Sequence, residues 1–135
     1  MKKNLSENKL IILDTDAIRL KKLLEDKASG GHQYCSALKE EINKAQIVSK
    51  ADMPEDVVIM NSTIEILDME DNESIRYVLV YPWESDVDSC KISILAPIGT
   101  AIIGYRQGDE ILWKVPGGTR KLKLTTVIQP QLNDQ

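Results

Sequence analysis

The spacing of apolar residues changes period partway along the chain. In "LDTDAIRLKKLLEDKASGG", cap candidates Asp14 and Thr15 precede Ala17, Leu20 and Leu24, which recur at spacings of three and four. That spacing predicts a helix, and Ser29-Gly30-Gly31 ends it. In "YCSALKEEINKAQIV", Leu38, Ile42 and Ala45 share the face of a second helix. Two helices joined by a short Gly-rich turn predict an antiparallel hairpin. Its apolar stripes face each other, and Lys21, Lys22, Lys39, Glu40, Glu41 and Lys44 face water. Arms of about 12 to 14 residues, rising ~1.5 Å each, reach only ~20 Å.

"SKADMPEDVV" reads as a joint, because Met53 before Pro54 favours extended backbone. A boundary near residue 50 divides the chain into 1–50 and 51–135. Beyond it the period becomes two. Ile64 and Ile66 oppose Thr63 and Glu65 in "NSTIEILDM"; "IRYVLVYP", "KISIL" and "EILWKV" follow as strands. In "RKLKLTTVI", Leu122, Leu124, Thr126 and Ile128 alternate with Lys121, Lys123, Thr125 and Val127. "PIGTAIIGYRQGD" supplies one short helix around Thr100 to Ile103. The expected class is α+β: a helical hairpin plus five antiparallel strands curled on a short helix.

Composition narrows the function. A chain of 135 residues fits one domain, or one with a small appendage. With no Phe, its core is built from Ile, Leu and Val. The net charge of −4 gives no overall positive field for nucleic acid. Residues 51–90 hold eleven acids and one base, Arg76, while both flanking stretches carry +3, ten bases against seven acids before and six against three after. This acidic middle is either a solvated face or a surface for a basic partner. Cys35 and Cys90 lie in different units, which argues for two buried or idle thiols in a reducing compartment. "MKKNLSENKL" lacks the apolar core of a signal peptide, and no run nears the roughly 18 apolar residues of a membrane span. The expectation is a soluble cytoplasmic protein.

Catalytic equipment is sparse. His32 is the only histidine, too few for a typical zinc site, and beside Cys35 it reads as a polar turn residue. There is no Walker sequence and no G-x-G-x-x-G after a strand, so the glycines serve turns. Carboxylate pairs abound, but metal-assisted chemistry needs convergence on one point. Glu25 and Asp26 are noted because they lie at the hairpin tip. Trp113 alternates with Lys114 and reads as core; Trp83, after Pro82, either anchors a partner or covers the sheet end.

"KISILAPIGTAIIGYRQGDEILWKVPGG" resembles the C-terminal domain of Gre-type transcript cleavage factors, with its strand, Ser-Pro-Leu-Gly corner, short helix and Gly-Asp turn in this order. "INKAQIVSKADMPEDVVIMNSTIEILDM", "LVYPWESD" and "APIGTAIIG" look like one branch, the regulator of nucleoside diphosphate kinase (Rnk) family. The resemblance spans roughly residues 10 to 130. It implies an FKBP-like C-terminal domain and binding to bacterial RNA polymerase at the rim of the secondary channel. Carried over, Ala96, Pro97, Ile98 and Gly99 become contact candidates, with Pro97 and Gly99 holding Ile98 outward. Ala96 stands where Gre factors carry Ser, which weakens a hydroxyl-dependent contact.

Gre factors also use a long coiled coil with an Asp-x-x-Glu tip that helps hold magnesium. "LEDKASGGHQY" has no Asp-x-x-Glu, and the arms are short. The expected function is therefore a monomeric, polymerase-binding transcription regulator without cleavage activity. It needs no cofactor or metal, reads no specific DNA sequence, and competes with Gre factors. Two enzymatic alternatives stand beside it: a prolyl isomerase on the FKBP-like fold, and a magnesium-dependent cleavage helper using Glu25 and Asp26.

Overall fold

A computed structural model describes residues 2–4, 10–25 and 33–131. The stretch expected to form the hairpin turn, with Asp26, Ser29, Gly30, Gly31 and His32, lies outside the described residues, as does the side chain of Cys35.

The chain opens with β1 (Lys2–Asn4) and β2 (Ile11–Leu13), then the helices α1 (Asp14–Glu25) and α2 (Gln33–Lys44), and β3 (Gln46–Val48). Alternating residues build β4 (Thr63–Asp68) and β5 (Glu73–Val80), followed by β6 (Lys91–Ser93). Helix α3 (Pro97–Ile102) leads to β7 (Glu110–Val115) and β8 (Gly118–Ile128). No helix among the described residues is long and apolar enough to cross a membrane.

Six strands form one sheet in the order β1-β7-β8-β4-β5-β6, and β2 pairs with β3 in a second, parallel pair. The expectation of five antiparallel strands needs correction twice. β1 adds a strand on the edge of β7. β6 runs parallel to β5, with Val78 opposite Lys91 and Val80 opposite Ser93. The physical reason is the connection: residues 81–90 make two single-turn helices and return the chain to the start of β5's last third, so β6 leaves in the same direction.

The phase of β8 also differs from simple alternation. Glu65 faces Thr126 while Ile66 faces Leu124, so Thr125 is an extra residue, a β-bulge. Its Oγ1 donates to the Glu65 carbonyl at 3.1 Å. Past the bulge the faces exchange: Val127 is buried and Ile128 is half-exposed, opposite to the pattern read from sequence.

The core is continuous from the helices to the sheet. Ile12, Ala17, Leu20, Leu38 and Ile42 belong to the same cluster as Ile64, Leu79, Ile94, Ile111 and Leu124. Without Phe, the large buried rings are Tyr81 and Tyr105. The stretch read as a joint ends in core: Val57 and Val58 are buried, and so are Ile59 and Met60, which follow it. Val58 N–H donates to the Tyr105 carbonyl at 2.8 Å, and Gly104 N–H to the Val58 carbonyl at 3.0 Å. Asn61 takes a left-handed turn (φ 68°) and Ser62 Oγ accepts from Ile59 N–H at 3.0 Å, which closes the stretch before β4. Cys90 is a free, exposed thiol rather than a buried one.

Candidate partner-binding groove

The Pro-Ile-Gly corner is a helix start. Ala96 is extended (φ −69°, ψ 151°) and precedes α3, with Pro97 in the first turn, where its missing N–H costs nothing. The helix thus begins at Pro97 and ends at Ile102, earlier than the span centred on Thr100 to Ile103. Ala96 N–H donates to the Ser93 carbonyl at 3.0 Å and Leu95 N–H to Ser93 Oγ at 3.0 Å. Buried Thr100 donates its hydroxyl to the Ile94 carbonyl at 2.7 Å, which ties the helix back to the incoming chain. The corner is rigid because its polar groups are satisfied locally.

Its four residues have different environments. Pro97 is exposed and Ala96 half-buried. Gly99 is buried, and a Cβ added there would collide with the Ser93 carbonyl oxygen and crowd Ile94 Cα at 3.1 Å. Gly99 therefore serves close packing of α3 on the chain after β6. Ile98 is half-buried: it packs on the core and also walls a groove of about 350 Å³.

Strand register builds the rest of that groove. Ile66 faces Ile75 across β4 and β5, and Trp113 faces Arg120 across β7 and β8. With Tyr77 and Leu122, these side chains emerge on the sheet face that Ile98 overhangs. Trp113 is partly buried, joining the core and the groove at once. The far rim is acidic. Asp68, Asp71 and Glu73 line it, and Arg120 bridges Asp68 at 3.4 Å, Glu70 at 3.6 Å and Asp71 at 3.9 Å. One guanidinium facing four carboxylates leaves the rim net negative.

The remaining candidate residues lie elsewhere. Trp83 is exposed and does not line the groove. Glu25 is exposed on α1 and lines a separate small cleft with Lys21, Leu24, Lys39 and Ile42. Among the described residues no group of three or more His, Cys, Asp or Glu side chains is placed to hold a metal ion.

Sequence reasoning missed the buried polar residues. Asp16, on the first turn of α1, is buried, and its carboxylate accepts the Met60 N–H at 3.0 Å. Burial raises its pKa above the ordinary 3.8, against the lowering effects of that hydrogen bond and of Arg19. The Tyr81 hydroxyl is pushed up to about 12, by burial first and then by the Asp16 charge. Tyr105 is raised further still, chiefly by burial. Arg106 is held above its ordinary value by its hydrogen bonds to Asp56, at 3.1 and 2.9 Å. The one available signal for Asp16 was its place one turn below the apolar stripe, on the core side of α1.

Comparison with known proteins agrees with this architecture. The family model described as the GreA/GreB transcription elongation factor C-terminus matches residues 53–129, and the Rnk N-terminus model matches residues 8–48. A solved GreA/GreB transcription elongation factor from Nitrosomonas europaea superposes with a TM-score of 0.76 at 37% identity, covering 91% of this chain and all of that one. The transcription elongation factor GreA of Desulfotalea psychrophila is 31% identical over 90 residues, 67% of this chain and 56% of its own length. The fold is thus that of the GreA/GreB class of transcription elongation factors. The regulator of nucleoside diphosphate kinase of Escherichia coli K12 is 40% identical over 114 residues, 84% of each chain. With its N-terminal match as well, the chain belongs to the Rnk family, whose named relatives are regulators rather than enzymes.

Proposed function

We propose that this protein regulates transcription by binding RNA polymerase at the rim of the secondary channel, through the Ala96–Gly99 corner and the groove beside it. The observation that carries the reading is Ile98, held on a rigid helix start as one wall of an apolar groove with an acidic rim. Family membership supports the kind of partner. Pro97 and Ile98 supply the contact surface, and Gly99 sets their position from within the core. Residues 1–50 act as a short arm and residues 51–135 as the docking unit. Twelve residues in each of α1 and α2 make arms of only ~18 Å at ~1.5 Å per residue. Such an arm occupies the channel entrance and competes with longer Gre factors without stimulating transcript cleavage. The protein acts as a cytoplasmic monomer.

The test is co-migration with bacterial core polymerase at low salt. Wild type should bind and be displaced by a Gre factor, and Ile98→Asp should abolish binding. Binding that survives Ile98→Asp refutes the groove. In backtracked complexes no RNA cleavage is expected; cleavage lost in Glu25→Ala would establish the magnesium-helper reading instead.

One observation favours a second reading. Trp113 and Tyr77 give the groove an aromatic lining suited to a proline ring. A fold does not carry an activity, and a proline-peptide isomerisation assay distinguishes the two, with turnover abolished by Ile98→Asp expected only of an isomerase.

A further inference from the structure

Trp83 stands apart from the groove. It is 73% exposed, and Val87 is 91% exposed, the barest large apolar side chains among the described residues. Both lie on the connection from β5 to β6, Trp83 in the single-turn helix Pro82–Glu84 and Val87 at the start of the next, Val87–Ser89.

This connection is well pinned. Pro82 stands in the first turn, Glu84 N–H donates to the Tyr81 carbonyl at 2.9 Å, and Ser85 Oγ donates to the Pro82 carbonyl at 3.0 Å. The Asp86 carboxylate accepts from Asp88 N–H at 3.1 Å and from Ser89 Oγ at 2.9 Å. Asp86 and Lys91 exchange backbone hydrogen bonds at 3.0 and 2.9 Å. Beneath Trp83 the Tyr81 ring lies parallel, 5.1 Å away at 4°. Tyr81 is buried, with Trp83 covering one face of its ring. One indole face is stacked and the other is presented to solvent in a held orientation, which lowers the ordering cost of any contact made there.

The surrounding charge selects the ligand. Within residues 82–90, Glu84, Asp86 and Asp88 are exposed and there is no Lys or Arg; the nearest cations are Lys91, which follows, and Arg19, which acts on the buried Tyr81 hydroxyl. An indole face is electronegative, and three exposed carboxylates within five residues of it along the chain repel phosphate and attract cations. Stacking on a nucleobase is therefore opposed by the phosphates that accompany it. A planar guanidinium fits both parts: it lies flat on the ring while donating to a carboxylate, which an ammonium group does less well.

We propose that the Pro82–Cys90 connection is a protein-interaction surface for an arginine-bearing basic segment, with the guanidinium laid on the outer face of Trp83 and paired with Glu84. Val87 supports an apolar neighbour of that arginine. The surface is separate from the groove and does not rest on the polymerase reading.

The test uses the whole chain and a synthetic peptide carrying three arginines among leucine and glycine, with lysine and citrulline versions of it. Calorimetry gives the affinity, and the indole N–H resonances report which Trp is touched. The arginine peptide should shift the Trp83 resonance and leave Trp113 in place, and its binding should weaken with salt. Trp83→Ala should weaken binding about five-fold, with an unchanged far-UV spectrum because the side chain is exposed. Glu84→Gln should weaken it as well, and Ile98→Asp should leave it unaltered. No binding, equal binding of the citrulline peptide, an unchanged affinity in Trp83→Ala, or a shift of Trp113 instead would each overturn the proposal.

Discussion

A carboxylate buried under the first turn of α1 is an unusual choice in a core made chiefly of Ile, Leu and Val. Asp16 is held there by the Met60 N–H, which would otherwise be unpaired between α1 and the sheet. Because burial raises its pKa, the native state keeps the proton to a higher pH than the unfolded chain does. The stability linked to this group is fully present below the unfolded value, and it is lost as pH rises through the raised folded value. Two substitutions separate the hydrogen bond from the charge. Asp16→Ala strands the Met60 N–H and should cost about 1–3 kcal/mol. Asp16→Asn keeps an acceptor oxygen and removes the buried charge, so its stability relative to wild type should improve as pH rises from about 4. Urea denaturation across that pH range checks both.

Among the elements, α3 ties the fold to the groove. Its apolar residues and Pro97 announce a short helix from sequence, but only packing shows which side of it is inside. Gly99 reads as part of a displayed corner, yet it is buried against the Ser93 carbonyl and Ile94. Gly99→Ala gains about 1 kcal/mol of helix propensity. The steric conflict should outweigh that gain and destabilise the protein by about 1–3 kcal/mol. A thermal melt measures the loss, and weaker polymerase binding should accompany it because Ile98 moves with the helix. The bulge at Thr125 belongs to the same scale: alternation predicts the two faces of β8 up to that residue, and the extra residue reverses them.

For the molecule as a whole, the helices and the sheet share one cluster of buried side chains. Leu20, on α1, is fully buried in it. Leu20→Ala should therefore lower the stability of the entire protein by about 2–5 kcal/mol. Far-UV and near-UV signals should fall in one transition; separate transitions would show that the helices melt alone. Charge is organised at this scale too. The acidic middle of the chain supplies both the far rim of the groove and the flanks of Trp83, so a single compositional bias yields two electronegative surfaces.

What the chain determined by itself was whatever depends on near neighbours: the 3.6 period of α1 and α2, the period of two in β4 and β5, the turn at Pro97, and the family likeness those residues carry. The tertiary structure alone decided the parallel seat of β6, the added β1, the reversal at Thr125, the burial of Asp16 and Gly99, and the meeting of Ile98 with Trp113 and Tyr77. These depend on partners far apart in sequence. Local periodicity shows which face of an element is apolar, and only packing decides what that face meets.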